Sequence, residues 1–262
     1  MAGTDLSARI AASREEWGLL ELGEQYAPGA GGFAAPAVLG DGTPAVLKLG
    51  IPHREAEQEA DALERWNGEG AVRLLARNDE RSALLLERAQ PGTFLSGSPD
   101  ALDVLIGLLP RLWTSAEGFH TLEDEAGHWV DEIERDARDP RLRDAALHYV
   151  GELAHTQGEQ VLVNQDLHGE NVLAAQREPW LVIDPKPLAG EREFGLAPII
   201  RSHELGHSRR DVLYRLDRLT SDLGLDRDRA IGWTVAQTVA WSGGDGYVDA
   251  HIEAANWLLG EA

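Results

Sequence analysis

The sequence predicts an α+β protein built in two parts, a small N-terminal antiparallel sheet followed by a larger, mainly helical region. Short apolar runs separated by polar or glycine-containing turns fill the first 88 residues, whereas from Asp100 onward apolar residues recur at helical spacing. The breaker-rich stretch 91–99 lies between these two patterns. We therefore divide the chain into residues 1–88 and residues 89–262.

In the first part, a Gly-Asp-Gly turn separates the apolar runs 37–39 and 45–49, which is typical of a β-hairpin. Residues 53–66 carry apolar side chains at i, i+4 and i+7 and are predicted to be helical. Two further apolar runs, 72–76 and 82–87, flank a polar turn and predict two more strands.

The second part begins with a helical pattern over 100–159. Short apolar runs and turns follow, and a final helical region extends from about Ala197 to the C-terminus. We expect the polar residues of the short runs to line a cleft between the two parts, where ligands commonly bind.

Composition excludes several classes of protein. A formal net charge of −21 disfavours nucleic acid and anionic membrane surfaces as partners, and it favours encounter with cationic molecules. No apolar run is long enough to span a membrane, and no secretory signal is visible. The absence of cysteine excludes disulfides and thiolate chemistry. We expect a cytoplasmic enzyme that acts as a monomer.

The chemistry is indicated by three oxygen-bearing side chains in the segment 164–186. Asp166 follows the apolar run 161–163, Asn171 lies five positions later, and Asp184 ends the apolar run 181–183. Such a set suits phosphoryl transfer from ATP, in which one carboxylate orients the acceptor hydroxyl while an amide and a second carboxylate bind Mg²⁺. Each residue alone is also typical of ordinary turn chemistry.

Lysine usage supports the same chemistry. Only Lys48 and Lys186 are lysines among the 24 Lys and Arg residues, and both lie beside candidate site residues. The compact ammonium group of lysine fits among phosphate oxygens as a point charge, whereas the arginine guanidinium is a planar fork.

The segment from Gln165 to Glu191 resembles the aminoglycoside phosphotransferase family, and within it the streptomycin kinase and hydroxyurea phosphotransferase branch. This resemblance implies a protein-kinase-like fold with ATP held between two lobes. It also implies that Asp166 is the catalytic aspartate and that Asn171 and Asp184 are the metal ligands.

The resemblance extends to the N-terminal part. It implies that Lys48 binds the α- and β-phosphates and that a helical carboxylate, Glu59 or else Glu55, pairs with it. The segment from Glu87 to Ala89 resembles the hinge whose backbone receives adenine. The glycine-rich turn that includes Gly31 is expected to cover the phosphates, although its spacing does not match G-x-G-x-x-G.

The catalytic run departs from the family pattern, because Asn164 and Gln165 stand where the family usually has His-Gly. We expect Asn164 to support the loop by hydrogen bonding. For the acceptor, Glu191, Glu193 and Trp241 are candidate contacts, since carboxylates and an indole ring both attract cations. Loop charges and core packing are the competing explanations.

Residues 203–207 match H-E-x-x-H, a zinc protease signature. No further ligand follows at the spacing of known zinc proteases, so we interpret the segment as a solvated or substrate-facing helix start. A zinc hydrolase remains one alternative function. Others are a nucleotide-binding pseudokinase, motivated by the altered Asn164-Gln165 run, and a kinase of another small metabolite. The favoured hypothesis is an ATP- and Mg²⁺-dependent kinase of a small-molecule hydroxyl, with an aminoglycoside such as streptomycin as the first candidate.

Overall fold

The structure is a computed structural model that describes residues 6–26, 32–51, 53–243 and 248–260. Its internal contacts divide the chain into two compact units. The first comprises Met1–Thr93 together with Leu173–Asp184, and the second comprises Phe94–Val172 together with Pro185–Ala262. The predicted division at residue 88 differs from these units, chiefly because it assigns 173–184 to the second part.

The first unit contains a five-stranded antiparallel sheet in the order β1-β2-β3-β5-β4. Its elements are α1 (Leu6–Glu16), β1 (Glu21–Leu22), β2 (Gly32–Val38), β3 (Pro44–Gly50), α2 (Glu59–Trp66), β4 (Leu74–Asn78) and β5 (Ala83–Glu87). The predicted hairpin and the two later strands are therefore confirmed. The helix α1 was not predicted, because few apolar residues recur along it at helical spacing.

The two faces of this sheet differ in burial, as the alternation of side chains along a strand requires. Ala35, Leu47 and Leu85 face a buried cluster, against which Ile10 of α1 and Trp17 also pack. Lys48 points to the opposite face, which is only partly buried. The alternating pattern of β3 therefore places the lysine outside the apolar core.

Residues 173–184 join the first unit through backbone hydrogen bonds. β7 (Val172–Ala174) pairs with β8 (Trp180–Val182). The amide of Val182 donates to the Gly70 carbonyl at 2.9 Å, and the amide of Ala174 donates to the Thr93 carbonyl at 2.8 Å. Arg177 adds two hydrogen bonds to the Glu87 carboxylate, each 2.8 Å long. These contacts have a sequence separation of about 80 to 110 residues, which local patterns cannot reveal.

The second unit is mainly helical, with one antiparallel pair formed by β6 and β9. Its elements are α3 (Ala101–Leu112), α4 (Leu122–Asp136), α5 (Pro140–Leu153), β6 (Gln160–Asn164), β9 (Pro187–Glu191), α6 (Ala197–Arg201), α7 (Arg209–Leu223), α8 (Arg227–Ala240) and α9 (Asp249–Leu259). This layout confirms the predicted α+β class, with strands first and helices later.

The helix α8 lies at the centre of the second unit, since every residue from 230 to 240 is buried. A helix that is apolar and buried on all sides belongs to a core. Trp233 of α8 packs edge-on against Phe194, with ring centroids 5.6 Å apart, and against Trp129. In the described part of the chain, no helix is long and apolar enough to cross a bilayer.

Candidate active site

In the first unit, Lys48 holds two carboxylates together. Its Nζ lies 2.6 Å from both carboxylate oxygens of Glu59 and 2.6 Å from Oδ1 of Asp184. Of the two predicted candidates, Glu59 and Glu55, it is therefore Glu59 that forms the ion pair with Lys48. Glu59 is buried at the first turn of α2, where the helix dipole favours a negative charge.

The electrostatics of this cluster keep the lysine charged. Burial by itself would lower the pKa of the Lys48 ammonium group, but the charges of Glu59 and Asp184 outweigh it, so the pKa is raised. Asp184 has a left-handed backbone, with φ of +49°, which an aspartate tolerates better than most residues. Its side chain is 46% exposed, so the carboxylate is accessible. Strained backbone of this kind is common at functional sites.

In the second unit, Asp166 lies just beyond β6 in a short turn that also carries His168 and Asn171. Oδ2 of Asp166 forms an ion pair with Nζ of Lys186 at 2.9 Å, and Oδ1 lies 3.8 Å from Nε2 of His168. Asn171 donates from Nδ2 to the Asp166 carbonyl at 2.8 Å. The five-residue spacing therefore brings the predicted aspartate and asparagine together, through the main chain of Asp166.

Asn164 performs the supporting role expected of it. Its Oδ1 accepts hydrogen bonds from the backbone amides of Asp166, at 3.1 Å, and Lys186, at 3.0 Å. The Gln165 amide also donates to the Lys186 carbonyl at 2.9 Å. One buried side chain therefore fixes the main chain at both partners of the Asp166–Lys186 ion pair, so the altered Asn164-Gln165 run does not leave the loop unsupported.

Glu204 supports the same loop from the other side. Its Oε1 accepts hydrogen bonds from the Gly169 amide at 2.7 Å and from the Ser202 hydroxyl at 3.0 Å. The same oxygen lies 3.0 Å from Nδ1 of His168. Burial would lower the pKa of His168, but the hydrogen bond to Glu204 and the charges of Asp166, Glu204 and Glu170 raise it overall. In neutral His168, Nδ1 donates to Glu204 while Nε2 accepts from Asn171.

This geometry corrects the interpretation of the H-E-x-x-H segment. Residues His203–Leu205 form a 3₁₀ turn and Gly206 has a φ of +101°, so the two histidines do not share one face of an α-helix. His207 bonds to Glu253 instead, at 2.6 Å. The predicted helix start is therefore wrong, and Glu204 is occupied with the loop of Asp166.

Buried Arg215 holds this segment in place by donating to the backbone carbonyls of Ile200, Leu205 and Gly206. Burial lowers the pKa of the Arg215 guanidinium to about 10. The loop that carries Glu204 is thus fixed from α7 of the same unit.

Two of the candidate acceptor contacts have structural partners. Glu191 is only 1% exposed, and its carboxylate binds Arg229 at 2.8 Å, the Gly158 amide at 3.0 Å and the indole NH of Trp233. The prediction that Glu191 meets the acceptor is therefore wrong, because the carboxylate is enclosed in the core. Glu193 accepts from the Asp226 amide at 3.2 Å, just before α8.

Trp241 remains a candidate acceptor contact. Its ring lies 5.0 Å from the Lys186 ammonium group and 5.0 Å from the Arg201 guanidinium, so both cations contact the indole.

Of the residues predicted to contact the nucleotide base and phosphates, the structure describes Glu87 and Ala89 as well as Lys48. Glu87 ends β5, its carboxylate is held by Arg177 and by the Arg73 amide, and its own amide donates to the Arg73 carbonyl at 2.8 Å. Ala89 follows in the connecting segment. The predicted phosphate contact at Gly31 lies outside the described residues.

Sequence reasoning missed His168, Glu204 and the ion pair of Lys186 with Asp166. His168 is two residues from Asp166, and this proximity was the available signal. Glu204 is 36 residues from His168, and only the folded chain brings them together. In the sequence, Glu204 is the glutamate of the H-E-x-x-H match, a pattern that indicates metal binding rather than support of a loop.

The fold is that of the protein-kinase-like phosphotransferases. A crystal structure of a thermostable aminoglycoside phosphotransferase mutant, in ternary complex with ADP and hygromycin B, superposes with a TM-score of 0.68 at 17% identity and covers 95% of this chain and 96% of that one. The choline kinase of Streptococcus pneumoniae matches with a TM-score of 0.70 at 16% identity, over 97% of this chain and 99% of its own. The predicted kinase-like fold is confirmed.

The family is defined more closely by sequence. A family profile described as aminoglycoside/hydroxyurea antibiotic resistance kinase matches residues 18–246. A hydroxyurea phosphotransferase of Kitasatospora aureofaciens is 39% identical, over 98% of this chain and 80% of the relative. A streptomycin 6-kinase of Streptomyces griseus is 40% identical, over 92% of this chain and 84% of the relative. The chain belongs to the aminoglycoside/hydroxyurea antibiotic resistance kinase family, as its motifs predicted.

Proposed function

We propose that this protein transfers the γ-phosphoryl group of ATP to a hydroxyl group of a small molecule, and that streptomycin or a related aminoglycoside is the first candidate acceptor. The observation that carries the proposal is the position of Asp166. Its carboxylate is 20% exposed and is oriented by Lys186 and His168, and the main chain around it is fixed by Asn164 and Asn171. This arrangement suits a group that receives the hydroxyl proton.

In the proposed reaction, the acceptor hydroxyl loses its proton to Asp166 as its oxygen bonds to the γ-phosphorus of ATP. The bond from that phosphorus to the β-phosphate oxygen breaks, and ADP leaves. Catalysis of such a transfer consists mostly of positioning and of charge stabilisation. Lys48, held by Glu59, would bind the α- and β-phosphates as a charged ammonium group.

Adenine would bind to the main chain at Glu87 and Ala89. The sheet supports this assignment, because Pro36, Val46 and Leu86 are aligned across three neighbouring strands. They share a face with Lys48, which is two residues beyond Val46 on β3. In this proposal, the row of apolar side chains would contact the adenine ring, and the lysine on the same face would bind the phosphates.

The residues present also fit a magnesium ion. Asn171 uses its Nδ2 as a donor, which orients its amide Oδ1 as a ligand oxygen, and Asp184 offers an accessible carboxylate. Amide and carboxylate oxygens are the hard ligands that Mg²⁺ prefers. The ion would neutralise charge on the phosphates.

A cytoplasmic location, where ATP is abundant, and action as a monomer are parts of the same proposal.

The test incubates the protein with Mg²⁺-ATP and single acceptors, namely several aminoglycosides, hydroxyurea and amino-sugars, and reads the mass gain of one phosphoryl group. We expect a gain on streptomycin. A gain on hydroxyurea instead would assign the second candidate acceptor, which the hydroxyurea phosphotransferase relative supports.

The variant Asp166→Asn preserves the size of the side chain and removes its basicity. It should lower kcat by roughly 10³-fold while ATP still binds, because a general base commonly contributes 10²–10⁴-fold. Asp222→Asn, on the exposed face of α7, is the matched control. Turnover retained by Asp166→Asn would refute the proposed role. ATP binding without transfer to any acceptor would favour the pseudokinase.

A further inference from the structure

The second lysine of the chain has so far been given only the role of orienting the proposed base, which it contacts directly. Lys186 Nζ lies 2.9 Å from Oδ2 of Asp166, and the two side chains are 22% and 20% exposed. Both groups are thus largely enclosed but still accessible from solution. A bound acceptor hydroxyl that reaches Asp166 would therefore lie within a few ångströms of this ammonium group.

The position of Lys186 is also tied to the metal-binding segment by the chain itself. It lies two residues after Asp184, so their Cα atoms are no more than about 7 Å apart. Asn164 fixes the Lys186 amide, and the Gln165 amide fixes its carbonyl. The lysine therefore has a fixed main chain, contacts the proposed base and follows by two residues the one proposed to bind the ion on the phosphates.

A second cation reinforces the positive charge at this place. Buried Arg201 contacts the same Trp241 ring as Lys186 and donates to the amide oxygen of Gln237 at 2.9 Å. Gln237 in turn donates to the Gln165 carbonyl at 2.9 Å. In a chain with a net charge of −21, two cations therefore contact one indole ring beside the proposed base.

We propose that Lys186 is a catalytic residue whose ammonium group contacts the transferring phosphoryl group. This inference rests on the proposed function. Before substrate binds, Asp166 holds the ammonium group in place. As the γ-phosphorus leaves the β-phosphate oxygen and bonds to the acceptor oxygen, Asp166 takes the hydroxyl proton and its charge is lost. Lys186 then stabilises the negative charge on the phosphoryl oxygens, and it keeps its own proton throughout.

A purely structural ion pair makes a different prediction. If Lys186 only oriented Asp166, an arginine would serve as well, and binding of a γ-phosphate would not depend on Lys186. If Lys186 contacts the phosphoryl group, Lys186→Arg should still be impaired, because a planar fork binds the carboxylate of Asp166 in two places and is drawn away from the phosphate.

The experiment measures calorimetric affinities for Mg²⁺-ADP and for Mg²⁺-AMP-PNP, which differ by the γ-phosphoryl group, together with kcat on the acceptor identified by the panel. Lys186→Met should bind AMP-PNP about fivefold to tenfold more weakly and ADP within about twofold of the parent. It should lower kcat by roughly 10²–10³-fold, the usual effect of removing one group that stabilises transition-state charge. Lys186→Arg should lose at least about tenfold in kcat.

Arg218→Met, which removes an exposed cation paired with Asp103 and Asp222, is the control and should change none of these values. Unchanged relative affinity for AMP-PNP and ADP in Lys186→Met, or full activity of Lys186→Arg, would overturn the proposal. If Lys186→Met does not fold, Lys186→Arg is judged by the same two measurements. Parent protein that binds both nucleotides but phosphorylates no acceptor would refute the proposed function, while the AMP-PNP to ADP ratio still decides the contact of Lys186.

Discussion

The side chain of Asn164 offers the sharpest test of how the catalytic loop is held. Asn164 is 4% exposed, and its Oδ1 is the acceptor for two backbone amides, those of Asp166 and Lys186. The substitution Asn164→Leu keeps the number and branching of the side-chain heavy atoms and removes this acceptor. Both amides then lose a partner at the two residues whose side chains form the central ion pair.

The cost follows from these contacts. Each buried amide left without a partner costs about 1–3 kcal/mol. Part of this is recovered, because Nδ2 of Asn164 is itself buried with no protein partner, and leucine removes that group. We expect a net loss of about 2–4 kcal/mol in the free energy of unfolding. A displacement of Asp166 by an ångström would also lower kcat by roughly 10²-fold.

The assay combines urea unfolding with steady-state kinetics on the acceptor that the panel identifies. Asn164→Asp keeps the acceptor oxygen and should retain more activity than Asn164→Leu. The control is Thr238→Val, since the Thr238 hydroxyl is buried without a protein partner and its removal should be neutral or stabilising. An Asn164→Leu protein within about 0.5 kcal/mol of the parent and with kcat within about threefold would refute this account of the loop.

Three further predictions concern buried charges. Glu59→Gln should raise the KM for ATP and lower the free energy of unfolding by about 2–3 kcal/mol, because the buried ammonium group of Lys48 loses a charged partner; an unchanged KM would argue against the phosphate role of Lys48. Glu191→Gln should cost about 2–3 kcal/mol in the same urea assay, since Arg229, whose side chain is 22% exposed, loses its charged partner, and kcat at low temperature should be nearly unchanged. Burial, followed by the nearby positive charges, lowers the pKa of His251 from 6.5 to about 3. Below about pH 6.5, His251 therefore binds a proton in the unfolded chain but not in the folded protein, so acidification lowers the free energy of unfolding. His251→Gln should remove about 1 kcal/mol of the stability that the parent loses between about pH 7.5 and pH 5.5. Identical pH profiles of the two proteins would contradict this.

The sequence by itself predicted the family of the protein and the residues proposed to carry its chemistry. Asp166 and Asn171 are five residues apart, and such a spacing acts within one turn, so their contact required no knowledge of distant parts of the chain. The Gly-Asp-Gly turn between two apolar runs likewise predicted the hairpin that carries Lys48, because turn chemistry is local. These features also carried the family resemblance.

The tertiary structure alone decided which carboxylates serve the site and which serve the fold. Glu191 lies seven residues after Asp184 and looks like a loop charge in the sequence, yet it is buried and bound to Arg229, 38 residues later. Glu204 looked like part of a metal motif, yet it supports the loop of Asp166 through His168. The physical reason is that the sign and spacing of charges are written in the sequence, whereas burial and the choice among several partners depend on contacts between distant segments.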